Sequence, residues 1–201
     1  MSSFVLKLIA AVTMLIDHAG LILFPEAQIM RVIGRLAFPI YAYCIAEGFR
    51  YTKNRLHYFL RIFVLGFLCQ IVYTIVDRQI YLGILITFSI SLIIMAALES
   101  ARKARDGEVS DIAAVFEKIT RKPLAHRADY IVNIAAVVLL FAASFFLCIY
   151  VEVDYGFFGI LLPVFTSLFK DKQQRLIMFS ITLLALWQEN ILNFQIISRG
   201  P

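Results

Sequence analysis

Charge is scarce in this chain of 201 residues. Asp, Glu, Lys and Arg together make up 16% of it, whereas they make up about 25% of an ordinary soluble domain. Hydrophobic residues account for 61%, and the mean hydropathy is +0.83. This composition excludes an ordinary soluble globular protein and indicates an integral membrane protein surrounded by membrane lipids.

Cysteine motifs and nucleotide-binding loops are also lacking. The three cysteines, Cys44, Cys69 and Cys148, lie within apolar stretches and have no CxxC spacing. That pattern argues against a disulfide framework and against a zinc site, so we expect no metal. No Walker loop, GxGxxG, HExxH or GxSxG occurs in the chain, so the common nucleotide-binding and hydrolase signatures give no support to those functions.

The apolar residues fall into long runs separated by polar links. A spanning helix needs about 20 mainly apolar residues, and the sixth run is shorter than that. We therefore expect an all-α transmembrane bundle of six or seven helices in a single domain, residues 1–201. The runs cover about 4–24, 29–49, 58–76, 80–98, 130–151, 156–169 and 176–197.

Lysine and arginine predict the orientation. They concentrate in alternate links, after the second, fourth and sixth runs. Because cytoplasmic loops are rich in Lys and Arg, we expect the amino terminus on the cytoplasmic side of the membrane. The net charge of +5 then reflects topology, and we expect no nucleic-acid partner.

One link, residues 99–129, is much longer than the others and is predicted to be cytoplasmic. Ser110 and Asp111 are typical of a helix start. Apolar residues then recur at i, i+3, i+4 and i+7, which predicts an amphipathic helix; they are Ile112, Val115, Phe116 and Ile119. Such a helix could lie flat on the bilayer or cover a cytoplasmic opening to a site.

Asp17 and His18 interrupt the first apolar run. A carboxylate within a spanning helix costs roughly 2.5–3.5 kcal/mol on insertion scales, so intramembrane ionisable residues are usually functional. Histidine exchanges protons near neutral pH. Because adjacent helical residues diverge by about 100°, Asp17 and His18 either contact one another or face different partners.

The first two runs predict an antiparallel hairpin with its turn near residues 25–28. Residues whose numbers sum to about 52–54 then stand level. Lys7 should face Glu47, while Asp17 and His18 should face Arg35 and Gly34. A buried ion pair of Asp17 with Arg35 that only locks the hairpin is one interpretation, and a catalytic histidine beside a carboxylate is the other.

These residues resemble the amino-terminal half of the TraX family. The resemblance rests on Lys7–Ala10, Thr13–His18, Ile33–Ile40, Glu47–Phe49, Thr52, Tyr58 and Arg61, and more loosely on Ile84–Phe88 and Asp154–Gly156. The family is similar to a wider group of polytopic membrane acyltransferases. Its namesake is associated with acetylating the amino terminus of a pilin subunit in conjugation, and the resemblance implies a location in the bacterial inner membrane.

The resemblance implies an acetyl-CoA-dependent acyltransferase with a protein amino terminus or a small molecule as acceptor. It implies that His18 acts as general base or nucleophile. Asp17 would orient His18 or pair with Arg35, and Arg35 would alternatively stabilise the oxyanion of the tetrahedral intermediate.

Two further groups complete the predicted site. A basic cluster would receive the phosphates of coenzyme A; it comprises Arg50, Lys53, Arg55 and Arg61. A second group would contact the acceptor; it comprises Arg31, Glu47, Asp154 and Tyr155. A small proton-coupled transporter and a non-catalytic assembly factor stay open as alternatives, and so does the oligomeric state.

The alternating basic links make the orientation testable. A cysteine introduced into the 99–129 link and another near the amino terminus should both react with a thiol reagent only after the membrane is opened to the cytoplasmic side. Labelling of intact cells with a membrane-impermeant reagent measures this. Reaction of either cysteine in unopened cells would contradict the predicted orientation.

Overall fold

The computed structural model describes residues 3–24, 26–77, 81–169 and 171–198 of the chain, with the side chains from Leu186 onward outside the description. The described chain is almost entirely helical, which confirms the predicted all-α class. Two compact units are distinguished. Unit 1 comprises Met1–Arg55 and Leu161–Pro201, and unit 2 comprises Leu56–Ile160.

The helices follow the predicted apolar runs. They are α1 (Ser3–Ile22), α2 (Gln28–Gly34), α3 (Ala37–Tyr51), α4 (Arg55–Asp77), α5 (Ile84–Arg105), α6 (Asp111–Thr120), α7 (His126–Tyr150), α8 (Gly156–Leu168) and α9 (Lys172–Ser198). Two short strands, β1 (Tyr81–Leu82) and β2 (Glu152–Val153), pair in parallel. Within the described residues, four segments are long and apolar enough to cross a membrane: Val32–Tyr51, Arg55–Val72, Ile84–Arg105 and His126–Tyr150.

The second apolar run is interrupted at Arg35 and Leu36, between α2 and α3. Pro39 has no backbone N–H, so the carbonyl of Arg35 lacks its helical donor. The chain passes this point through a tighter turn in which Leu36 N donates to the carbonyl of Ile33 over 3.1 Å. A continuous predicted helix therefore becomes a short segment and a longer one.

In unit 1, α1 packs against α2 and α3. Small residues make this close approach possible, since Ala10 of α1 and Ala42 and Ala46 of α3 are all buried. Small side chains let helix backbones approach each other where lipid offers no hydrophobic driving force. The hairpin that holds Asp17 and His18 thus consists of three tightly packed helices, α1, α2 and α3.

In unit 2, α5 is the central helix. It packs along α7, and α4 approaches it closely at Gly66, where an added Cβ would lie 2.9 Å from the Cβ of Leu85. Ser91 Oγ donates to the carbonyl of Ile160 in α8 over 2.9 Å, and Thr87 Oγ1 donates to the carbonyl of Asp154 over 3.2 Å. These bonds hold the start of α8 against α5.

The sixth run forms α8, which is short. Its 13 residues extend about 20 Å, less than the thickness of a hydrocarbon core. Its residues Ile160, Leu162 and Val164 are fully buried. A helix that is apolar all round and buried is an internal element, so α8 corresponds to the partial helix that its length predicts.

A buried polar network joins α5, α6 and α7. Ser100 Oγ donates to Asn133 Oδ1 over 2.6 Å, and the amide nitrogen of Asn133 donates to Asp129 Oδ1 over 2.7 Å and to Ser110 Oγ over 3.0 Å. Ser110 Oγ also accepts from the backbone N–H of Ala113 over 2.9 Å, which caps α6 as predicted from the sequence. All four polar residues are buried.

Removing the centre of this network should destabilise unit 2. Asn133→Ala deletes the donors to Asp129 and Ser110 and leaves buried polar groups unsatisfied, at a cost of about 1–3 kcal/mol or more. Ser144→Ala is the matched control, because among the described residues the Ser144 hydroxyl bonds only to the Phe141 carbonyl of its own helix. Thermal unfolding in detergent compares them, and equal losses would contradict the role of the network.

Candidate active site

His18 has one ring nitrogen fixed by the backbone. Its Nδ1 lies 2.9 Å from the carbonyl oxygen of Met14, one turn earlier in α1. A carbonyl oxygen only accepts hydrogen bonds, so Nδ1 carries the hydrogen. In the neutral ring Nε2 then holds the lone pair, and among the described residues no group hydrogen-bonds to it. His18 therefore presents a nitrogen that can accept a proton or attack a carbonyl carbon.

Asp17 lies directly against the backbone of Gly34. A Cβ added to Gly34 would overlap the Cβ and carboxylate of Asp17, and Gly34 is buried while Asp17 is half-buried. The predicted register set Asp17 level with Arg35 and His18 level with Gly34. The structure sets Asp17 against Gly34 instead, so the predicted register is off by one residue. Only glycine, which lacks a side chain, allows α2 to approach the carboxylate this closely.

Asp17 does not supply the bond that orients the imidazole. The Met14 carbonyl occupies Nδ1, and neither ring nitrogen of His18 is hydrogen-bonded to Asp17. The predicted ion pair of Asp17 with Arg35 is not formed among the described residues. Arg35 is instead exposed in the turn between α2 and α3. Asp17 and His18 thus face different neighbours, which was the second of the sequence-based alternatives.

Glu47 forms an ion pair that the sequence analysis missed. Its carboxylate accepts from Arg175 Nη1 of α9. Lys7, the predicted partner, lies near Cys44 of α3 instead. Glu47 is also close to Cys44, so the predicted depth of Lys7 and Glu47 agrees with the structure, but the predicted ion pair does not. Arg175 is buried, with 8% of its surface exposed.

The surroundings of this ion pair are aromatic and basic. Tyr43 lies close to both Glu47 and Arg175, and its ring packs edge-on against Phe179 of α9 with centroids 6.0 Å apart. We call Tyr43, Glu47 and Arg175 the arginine cluster. Nε of Arg175 is buried and has no hydrogen-bond partner among the described residues. A buried pair of this kind holds α3 and α9 together.

Three of the four residues predicted to bind coenzyme A lie near the α3–α4 link. Arg50 Nη1 donates to the carbonyl of Phe169 over 3.4 Å, just beyond the end of α8. The guanidinium of Arg55 lies 4.9 Å from the ring centroid of Phe49, a favourable cation–π distance. Lys53 is exposed in the link. The fourth, Arg61, is exposed on α4 and belongs to unit 2.

Asp154 and Tyr155 lie in unit 2, in the turn between β2 and α8. The turn is fixed at both ends: Asp154 N donates to the carbonyl of Leu82 over 2.9 Å, and Gly159 N donates to the carbonyl of Tyr155 over 2.9 Å. Tyr155 has φ +61°, in the left-handed region. Residues other than glycine persist there only when the surrounding structure holds them, and such positions cluster at functional sites.

Two points complete the account of the predicted residues. The side chain of Arg31 lies outside the described part of the chain. Among the described residues, no group of three or more His, Cys, Asp or Glu side chains is arranged to hold a metal ion.

Comparison with known proteins places the chain in one family. The model of the family described as TraX protein matches residues 2–198. An uncharacterised protein of Rickettsia prowazekii (strain Madrid E) is 42% identical over 74 residues, 37% of this chain and 28% of that protein. The probable fimbrial assembly protein FimC, serogroup H1, of Dichelobacter nodosus is 31% identical over 77 residues, 36% of this chain and 32% of that protein. The matches thus span less than a third of either relative, and no solved structure matches this chain.

The contact of Asp17 with Gly34 gives a direct test of the hairpin. Gly34→Ala forces a methyl group into the Asp17 side chain, and overpacking of this kind costs about 1–3 kcal/mol. Gly83→Ala is the control, since a Cβ there meets nothing within 4 Å. Thermal unfolding of both purified variants should show the larger loss for Gly34→Ala. A larger loss for Gly83→Ala would contradict the close approach.

Proposed function

The chain belongs to the TraX family, and from that premise we propose that it is an integral membrane acetyltransferase. Acetyl-CoA is the donor, and the acceptor is an amine or hydroxyl at or beyond the membrane. The relative named as a probable fimbrial assembly protein supports an acceptor associated with pilus assembly, such as a pilin amino terminus.

The observation that carries this proposal is the hydrogen bond from His18 Nδ1 to the Met14 carbonyl. It selects the tautomer in which Nε2 holds the lone pair. A base for acyl transfer needs that form, and the bond also restrains the rotation of the ring. Hydrogen bonds that a catalytic histidine donates from Nδ1 to a second group serve the same purpose in other acyl-transfer enzymes.

The proposed acetyl transfer has two steps, addition to the thioester and collapse of the tetrahedral intermediate. The acceptor nitrogen or oxygen attacks the thioester carbonyl carbon and forms the new C–N or C–O bond. At the same time Nε2 of His18 takes the proton of that acceptor amine or hydroxyl. The tetrahedral intermediate then collapses, the C–S bond breaks, and the imidazolium returns its proton to the coenzyme A sulfur. In the nucleophilic alternative Nε2 itself attacks the thioester carbonyl carbon, and the C–S bond breaks to release the coenzyme A thiolate. The acceptor amine or hydroxyl then attacks the acetyl group and displaces Nε2, and its proton passes to the thiolate.

We propose that Arg35, the residue after Gly34 in the chain, stabilises the oxyanion of the tetrahedral intermediate with its guanidinium charge. Asp17, held against Gly34, places a negative charge in the same hairpin and favours the imidazolium that forms during proton transfer. This differs from an orienting role, since the Met14 carbonyl already fixes the ring.

The donor phosphates are assigned to Arg50, Lys53 and Arg55 in unit 1. Guanidinium groups bind phosphate oxygens with paired N–H donors, and Arg55 is already ordered on Phe49. This assignment requires the α3–α4 link on the cytoplasmic side of the inner membrane, where acetyl-CoA is available. Arg61 in unit 2 remains a prediction from the sequence.

Contact of the acceptor with Asp154 and Tyr155, which belong to unit 2, and with Arg31 remains a prediction from the sequence. The strained backbone of Tyr155 supports a positioning role there. Glu47 loses its assignment to the acceptor, because its carboxylate is engaged by Arg175, and we propose a structural role for it.

The test is turnover of labelled acetyl-CoA by the purified protein in lipid nanodiscs. His18→Asn retains an amide nitrogen near the position of Nδ1, so the bond to Met14 can persist, but it removes Nε2. His18→Gln removes the imidazole as well and serves as a second variant. Both should lower turnover by about 10²-fold or more, as is typical of lost acid–base catalysis, without loss of thermal stability.

His126→Gln is the matched control, because His126 is exposed at the start of α7 and should leave turnover unchanged. Near-normal turnover by folded His18→Asn would overturn the role of His18. Uptake of a labelled solute into vesicles without thioester cleavage would favour a transporter, and the absence of both activities would favour an assembly factor.

A further inference from the structure

The amphipathic helix α6 leaves its apolar face uncovered. Val115, Phe116 and Ile119 are 58%, 40% and 76% exposed. They lie on one face of the helix, at i, i+1 and i+4. Large apolar side chains at these spacings, rimmed by polar residues, mark a surface that binds another molecule or a membrane.

The orientation of α6 is fixed at its first turn. Ser110 caps the helix from within the buried network, and Ala113 is buried. Lys103 Nζ of α5 forms an ion pair with Asp111 Oδ1 over 2.7 Å, and Asp111 N donates to Ser100 Oγ over 3.1 Å. These bonds to α5 prevent α6 from rotating its apolar face inward, so the exposed face is a fixed feature of unit 2.

Basic side chains adjoin the apolar face. Lys118, Arg121 and Lys122 are exposed at and beyond the end of α6. Arg121 caps the helix in the left-handed conformation, with φ 56°, and its N–H donates to the carbonyl of Glu117 over 2.8 Å. The local charge is positive, since Glu117 is the only acidic residue among residues 115–122.

The membrane surface is within reach of this face. α6 is anchored to the carboxyl end of α5 and the amino end of α7, and both of those helices are long and apolar enough to cross a membrane. Their ends therefore lie near the lipid headgroups. Anionic headgroups attract lysine and arginine near the surface, and the acyl boundary accommodates apolar side chains 5–10 Å deep.

We propose that α6 is a docking site for anionic lipid. Val115, Phe116 and Ile119 enter the boundary between headgroups and acyl chains, while Lys118, Arg121 and Lys122 bind the headgroup phosphates. The polar network around Asn133 acts as the anchor that presents this face. Lipid binding by α6 involves the 99–129 link and does not depend on acetyl transfer.

The test uses the full chain with Cys44, Cys69 and Cys148 replaced by alanine and one new cysteine carrying a fluorophore. Ile119→Cys reports from the apolar face, and Glu117→Cys is the matched control on the opposite side of the same helix. Nanodiscs contain brominated phosphatidylglycerol or brominated phosphatidylcholine at equal mole fractions, because bromine quenches a fluorophore that lies among the lipids.

The label at position 119 should be quenched, more strongly by the anionic lipid, and the label at position 117 much less by either. Each basic residue near the surface contributes about fivefold to the preference for anionic lipid. Lys118→Gln, Arg121→Gln and Lys122→Gln together should therefore abolish the difference between the two lipids while leaving some quenching at position 119.

Two outcomes would overturn the proposal. Absence of quenching at position 119 by both lipids would mean that protein or water covers the face, as a lid or a partner protein would require. Equal quenching by both lipids would remove the anionic specificity. If cysteine replacement impairs folding, hydrogen exchange of residues 115–122 in the unmodified protein replaces the labels, and the same exchange with and without phosphatidylglycerol would contradict the proposal.

Discussion

Hydrocarbon offers no hydrogen bonds, so every polar group within the apolar bundle must find its partner inside the protein. The described residues meet this constraint in three ways. Ser100, Asn133 and Asp129 satisfy one another in unit 2. Glu47 and Arg175 form an ion pair in unit 1. His18 bonds to the backbone of its own helix. The polar positions of the chain are therefore also its structural joints.

The same constraint explains why the Asp17–His18 hairpin is built from exceptions to regular helix packing. Pro39 withholds a donor and separates α2 from α3. Gly34, at the last position of α2, gives the Asp17 side chain its space. An N–H at position 39 would give the Arg35 carbonyl its helical donor, whereas a side chain at position 34 would collide with Asp17. This departure from regular packing supports a functional role for the hairpin, because real proteins break local rules mainly at functional sites.

Patterns within short stretches predicted much of the fold. The apolar runs located the helices, and the spacing from Ile112 to Ile119 located α6. The antiparallel register of the first hairpin placed Asp17 level with Arg35, one residue from Gly34, its observed neighbour. All of these follow from periodicity and chain geometry over fewer than about forty residues, which sequence alone expresses well.

Contacts between distant segments could not be predicted in the same way. Glu47 pairs with Arg175, 128 residues later, and nothing in the spacing of either residue selects that partner over Lys7. The Met14 carbonyl carries no side-chain signal, so its bond to His18 was also missed. A helical histidine can bond to the carbonyl four residues earlier, as serine and threonine do, and this general rule is the signal that would have identified the bond.

The central claim is that His18 presents an unprotonated Nε2 within the bundle. Nitrogen-15 NMR of histidine-labelled protein in nanodiscs, in a background of His57→Gln and His126→Gln, measures the protonation of each ring nitrogen of His18 directly. The account predicts that the neutral ring carries its hydrogen on Nδ1 and its lone pair on Nε2. A neutral ring with its hydrogen on Nε2 would contradict the account, because that nitrogen could then neither take a proton nor attack a thioester.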